Sequence, residues 1–153
     1  MLNETETYMS FAEVPLLNNP DAMFPKVKRM TGNLWLSRFA SGESFPTFPS
    51  AKTVSGDVRF EDNELDIQDS HFPKLESCRR LIVSKKVGEN IRFQKLKKTT
   101  EIAIRTTSDS LKVVDFPALE ETENITVFSN QVMHVFYNYI FSTPLTESDT
   151  YTH

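Results

Sequence analysis

Between Val54 and Phe116 strand follows strand: short segments alternate apolar with polar residues, and turn-forming residues separate them. Val54, Val58 and Phe60 alternate with Ser55, Asp57 and Arg59, and Leu65 and Ile67 with Glu64 and Asp66, which reads as a hairpin turning near Asp62 and Asn63. Further strands are expected over 80–84, 90–96, 100–106 and 111–116, with turns at Val87, Gly88 and Glu89 and at Ser108 and Asp109. Connections this short join antiparallel neighbours. A small sheet also gains by closing on itself, because closure removes unpaired edges. The fold class expected is therefore mainly β, an antiparallel β-barrel or half-barrel over residues 32–116. No repeat of 20–50 residues is apparent, which disfavours a solenoid or propeller.

The flanks read differently. Residues 1–31 carry Pro15, Pro20 and Pro25 and are expected to form an extended arm, whose Phe11, Val14, Leu16, Leu17, Met23 and Phe24 need cover. The run 33–39 fits a strand buried on much of both faces, with Trp35 as a core anchor. Gly42, Pro46 and Pro49 then mark a loop in which Phe45 and Phe48 also need cover. Residues 117–144 read as an acidic linker and an amphipathic segment. There Val132, Val135, Phe136, Tyr139 and Ile140 fit helical spacing and predict a C-terminal helix. Residues 145–153 are expected to be a disordered tail.

With 153 residues, 39% of them hydrophobic and 25% charged, the chain has the length and composition of one globular domain. Cys78 is the single cysteine, so neither an internal disulfide nor a two-cysteine zinc site is available. No stretch approaches the ~18 apolar residues of a membrane helix, and the acidic opening lacks signal-peptide character, so a nuclear or cytoplasmic address without a membrane is expected.

The net charge of -4 conceals segregation. Acids dominate between Asp57 and Asp69, bases between Lys74 and Arg105, and no Lys or Arg follows Lys112. The default reading is that neighbouring strands of opposite sign neutralise one another. The alternative is a nucleic-acid-binding face made by Arg79, Arg80, Lys85, Lys86, Arg92, Lys95, Lys97 and Lys98, although a pI near 5.4 is low for a dedicated nucleic-acid domain.

Catalytic groups are sparse. Cys78 and His71 form the only thiol and imidazole pair near in sequence, and a lone cysteine beside a strand is more often buried and inert. His71, His134 and His153 lack metal-ligand spacing, the four glycines make no phosphate cradle, and Glu120, Glu121 and Glu123 read as a solvated face. No catalytic residue, metal or cofactor is expected. Apolar residues beyond what one small barrel hides point instead to a non-catalytic interaction subunit, with Leu34, Trp35, Leu36, Phe39, Phe45 and Phe48 as candidate partner-binding residues.

The order Phe24-Pro25-Lys26-Val27-Lys28, then Asn33-Leu34-Trp35-Leu36-Ser37-Arg38-Phe39, resembles the arm and first strand of the smaller subunit of the TFIIF-like heterodimer of RNA polymerase I. Val54-Ser55-Gly56-Asp57-Val58, Leu65-Asp66-Ile67, Arg80-Leu81-Ile82-Val83-Ser84, Ile91-Arg92-Phe93 and Ile102-Ala103-Ile104 are similar to its later strands. The resemblance covers roughly residues 24–106. It implies a half-barrel completed by a larger subunit of a heterodimer, docking on RNA polymerase in the nucleolus. The short acidic C-terminus departs from that family's Lys-rich tail.

Overall fold

The computed structural model describes residues 24–40, 46–107 and 109–129, together with the strand assignments at Glu4–Thr5, Met9–Ala12 and His134–Tyr137. The strands in chain order are β1 (Glu4–Thr5), β2 (Met9–Ala12), β3 (Arg29–Met30), β4 (Leu34–Ser37), β5 (Thr53–Glu61) and β6 (Ser77–Lys85). They continue with β7 (Asn90–Arg92), β8 (Glu101–Thr106), β9 (Val113–Phe116), β10 (Asn124–Phe128) and β11 (His134–Tyr137). Every pairing between them is parallel. The chain winds into a parallel β-solenoid of about four turns, and the antiparallel barrel expected from the sequence is not what forms.

The geometric reason lies in which residues are neighbours. Leu34 pairs with Val58, Val58 with Leu81, Leu81 with Ile102 and Ile102 with Ile125, so each strand lies beside its counterpart one coil later. The hairpin expected at Asp62 and Asn63 is a corner instead. Asp62 turns with a φ of 57°, and Arg38 and Lys85 turn with φ of 63° and 65° at the same place in the coils on either side. After the corner the chain runs on to Ile67, which bridges Ile91 in parallel. Asn63 points inward, fully buried; its Oδ1 accepts the Phe39 N–H at 3.1 Å and its Nδ2 donates to the Leu36 carbonyl at 3.1 Å. One side chain thus stands in for the backbone ladder where the ladder turns.

A second corner carries the repeat. Phe24, Phe48, Phe72, Phe93 and Phe116 occupy one interior column, with consecutive ring centroids 5.0, 5.2, 6.2 and 6.1 Å apart. Pro25, Pro49, Pro73 and Pro117 follow four of them, and in those four turns the amide three residues after the phenylalanine donates back to its carbonyl. Proline is suited to this place because it presets φ for the second residue of a type I turn. Gln94 takes the place after Phe93, and its N–H is in use, donating to Asp69 Oδ1 at 2.6 Å, a bond that proline lacks the hydrogen to make. Each turn ends on a carbonyl that collects two amides of the next coil: Lys52 O accepts Glu76 N–H at 2.8 Å and Ser77 N–H at 3.2 Å.

Four complete coils follow from these registers, over residues 29–52, 53–76, 77–97 and 98–120. Their interior is filled by the chain itself. Leu34, Val58, Leu81 and Ile102 make one buried column, and Leu36, Phe60, Val83 and Ile104 the next. The expected C-terminal helix is replaced over His134–Tyr137 by β11, which pairs with β9, and β10 lies inside the stretch read as a linker. Parallel pairing of flat, two-residue-period segments satisfies the same alternation that suggested hairpins; only the partner differs.

Candidate functional site

On β4, β5, β6, β8 and β10 alternate side chains point away from the core and form parallel rows. One row runs Trp35, Arg59, Ile82, Ala103, Thr126, and the row beside it Asp57, Arg80, Glu101, Asn124. Asp57 is the charged residue buried on this outer surface. It is 1% exposed, although aspartate is disfavoured in strand interiors and buried carboxylates need partners.

Three arginines supply them. Arg80 donates from Nε to Oδ1 at 2.9 Å and from Nη2 to Oδ2 at 2.6 Å, Arg79 Nε donates to Oδ1 at 3.0 Å, and Arg59 Nη2 donates to Oδ2 at 3.0 Å. Arg79 and Arg80 both lie on the outside, between the buried Cys78 and Leu81, and the pairing of β5 with β6 shifts register beside them, between Val54 and Asp57. The shift brings backbone close to backbone: a Cβ at Gly56 would lie 2.5 Å from the Gly32 carbonyl oxygen, which is why only glycine fits there. Asn33 completes the setting by accepting the Asp57 N–H at 2.8 Å. Burial alone would raise the Asp57 pKa, but hydrogen bonds from Arg80, Arg59 and Arg79 outweigh it and hold the carboxyl well below the usual range.

The arginine side chains themselves stay partly in water: Arg59 is 44%, Arg79 53% and Arg80 35% exposed. Arg79 also borders an open polar groove of about 420 Å³ lined by Ser55, Ser77, Lys98, Thr99 and Glu121. Cys78 faces this region from the interior, where burial pushes its thiol up to about 12. Such a thiol is protonated at neutral pH and is neither nucleophile nor metal ligand. His71, with its pKa lowered by burial, sits in a corner with Nδ1 3.1 Å from the Gln68 carbonyl. Among the described residues no group of three or more His, Cys, Asp or Glu side chains is placed to hold a metal.

The residues singled out from sequence fall as follows. Leu34 and Leu36 are 0% exposed, Phe39 1% and Phe48 0%, all within the chain's own core. Phe45 lies outside the described residues. Trp35 is the one that faces outward, half-buried on the sheet surface rather than anchoring the core. Of the basic block, Lys85 pairs with Glu61 at 2.5 Å, Lys86 with Glu64 at 3.1 Å, Lys97 with Glu120 at 3.3 Å and Lys98 with Glu121 at 2.6 Å. Each partner comes from an adjacent coil. Arg79 and Arg80 converge on Asp57, while Arg92 and Lys95 are exposed and make no ion pair among the described residues. The basic block is therefore not one open face.

Asp57 and Arg59 belong to no motif that marks them as site residues in the sequence. Their signal was an aspartate in mid-strand, meaningful only once Arg79 and Arg80 are known to lie beside it one coil later. The architecture places the chain in the class of parallel β-solenoids, mainly β throughout. No protein-family model matches the chain, and no curated protein or solved structure matches it.

Proposed function

We propose that the chain is a non-catalytic protein-interaction module that presents the outer surface of its long parallel sheet to another polypeptide. The observation that carries this reading is the outward row in which the partly exposed Trp35, Ile82 and Thr126 accompany Arg59, with Phe128 52% exposed two residues beyond Thr126 on the same face. A surface with aromatic and aliphatic side chains bordered by arginine has the composition that protein interfaces favour. The catalytic candidates lack what chemistry needs: the thiol is buried and protonated, and the imidazole is held in a structural corner.

The mode of association differs from the one expected from sequence. A shared barrel would require an interior left for a partner to complete, whereas here the interior columns are filled by successive coils of one chain. The partner meets the outside of the sheet. The resemblance to the polymerase-associated heterodimer assigned its partner through a half-barrel, so this reading keeps the interaction class without that particular partner. Nucleic-acid binding by the basic block is disfavoured because four of its five lysines are already matched to glutamates across coils.

To test the reading, tagged native chain and an Ile82→Glu/Phe128→Glu variant are used for capture from the native cells, with Lys112→Gln, on a different sheet connection, as the control. A partner retained by the native chain and the control but lost by the face variant supports it. A partner retained equally by all three would show that the outer sheet is not the docking surface.

A further inference from the structure

We infer that Arg59 and Arg79 form a receptor for acidic side chains of the docked polypeptide, with Asp57 as the internal anion that holds them in place. The inference rests on the docking-face reading above and specifies its chemistry.

Charge is locally imbalanced around Asp57. Lys52, Lys85, Lys97, Lys98 and Lys112 each meet one carboxylate, from Glu76, Glu61, Glu120, Glu121 and Glu89 respectively. At Asp57 three guanidinium groups share one carboxylate, and the next acid, Glu101, stands 4.0 Å from Arg80 alone. Positive charge is therefore left over at this place on the sheet.

Donor geometry says where it points. Arg80 is engaged through both Nε and Nη2, as a fork on both oxygens of Asp57. Arg79 spends only Nε on Asp57, and Arg59 only Nη2. A guanidinium carries five N–H donors, so each of these two retains an unused edge that matches a carboxylate. Both are about half exposed, and Asp57 restricts their rotamers before any ligand arrives, which lowers the ordering entropy that binding would otherwise cost.

The occupant follows from the surroundings. A polyanion such as a nucleic acid needs several uncompensated cations in a row and is opposed by a net charge of -4. Arg105 on β8, and Arg92 and Lys95 on and after β7, also make no ion pair among the described residues, but only at Asp57 do three guanidinium groups stand together, next to Trp35 and Ile82, which are the register neighbours of Arg59 on either side. An extended peptide with acidic side chains beside apolar ones matches both features.

The chain has one tryptophan, Trp35, in register with Arg59, so its fluorescence reports occupancy directly. The test is a titration of the full chain with a glutamate-rich peptide containing isolated leucines, at low and moderate salt. Saturable binding that weakens with salt is expected. Arg59→Gln/Arg79→Gln should weaken it about tenfold or more, since each lost charge-assisted bond is worth at least that factor when desolvated. Lys86→Gln/Lys112→Gln, which changes net charge equally, should leave it unchanged. Arg79→Gln alone is the second variant, because Asp57 then keeps three bonds; thermal melts confirm that each variant is folded. Absence of saturable binding, equal losses in both double variants, or tighter binding of a single-stranded oligonucleotide would overturn the inference. If a cellular partner dependent on Ile82 and Phe128 binds Arg59→Gln/Arg79→Gln as well as native chain, this receptor is wrong and the docking face still stands.

Discussion

Replacing Phe72 by alanine tests the stacking of the coils most directly. Phe72 lies in the middle of the phenylalanine column, 5.2 Å from Phe48 and 6.2 Å from Phe93 by ring centroid, with Phe60 edge-on at 6.1 Å. It is 2% exposed. Phe→Ala in a core costs about 3–5 kcal/mol, the spread reflecting how far the surroundings relax into the space. Here the surroundings are two coils pinned by backbone ladders above and below, so collapse is restricted and the upper part of that range, about 4–5 kcal/mol, is expected. The aromatic pair energies of about 0.5–1.5 kcal/mol are contained in that figure and are not added to it. Phe24, at the end of the column and only half-buried, should cost about half as much. Urea unfolding followed by far-ultraviolet circular dichroism and by Trp35 fluorescence measures both. In a solenoid each coil is stabilised by its neighbours, so Phe72→Ala should also broaden the transition or separate the two probes. A cost below about 1.5 kcal/mol, or equal costs for Phe72 and Phe24, would refute the column as the source of coil stacking.

Three further outcomes follow from particular contacts. Asp57→Asn should destabilise by about 2 kcal/mol, a charge-assisted hydrogen-bond value discounted because the arginines are a third to a half exposed and re-solvate. Because the Asp57 pKa is depressed on folding, its contribution is complete above the unfolded carboxyl pKa of about 3.9 and is lost as pH falls below it, so native chain should lose stability below about pH 4 more steeply than Asp57→Asn; parallel slopes in urea titrations across that range would contradict this. Gln94→Pro, although it places there the residue found after the other four phenylalanines, should destabilise by about 0.5–1.5 kcal/mol by removing the donor to the partly exposed Asp69, and a raised melting temperature would show that the bond is dispensable. Cys78 should resist thiol reagents at pH 8 in the folded chain and react once unfolded, since its thiol is pushed up to about 12; rapid native-state labelling would count against its burial.

Much of the strand content was legible, and for a physical reason. Alternation reports which residues face inward, and Val54, Val58 and Phe60 do face inward as their spacing requires. Alternation does not report which strand lies alongside. A hairpin and a solenoid coil ask for the same pattern within a strand, and the choice is made at the corner, where Asp62 adopts a left-handed conformation that leads the chain onward rather than back. The legible clue was elsewhere: phenylalanine followed by proline at 24, 48, 72 and 116, with Phe93 in step, each followed three residues later by Val27, Ala51, Leu75, Leu96 or Leu119. Those interior residues, all buried, repeat at one-coil spacing. The repeat is hard to see because the strands between carry almost no shared identities; interior columns accept any apolar residue of fitting volume. Trp35 shows the opposite failure. Its size suggested the core, but its position between Leu34 and Leu36, both fully buried, forces it outward.

The segregated charge acquires its meaning from the coils. Residues 53–76 hold seven acids against two bases, and residues 77–97 hold seven bases against one acid, so the acidic and basic blocks are successive coils lying one against the other. Exposed pairs such as Lys85 with Glu61 or Lys86 with Glu64 contribute at most about 1 kcal/mol each, too little to drive folding. They discriminate instead. Parallel strands with interchangeable aliphatic interiors have little to select which coil stacks on which, and a basic coil set against another basic coil would place like charges directly opposite, which is unfavourable. Alternating sign therefore enforces the order of winding within the chain and disfavours mispairing between copies. In that arrangement a surplus is conspicuous only where pairing is not one to one, and the Asp57 cluster, with three cations on one carboxylate in the centre of the outer sheet, is such a place. Ladder charges that serve folding cancel across coils; the charge left at Arg59 and Arg79, held in place by Asp57, is available to a partner.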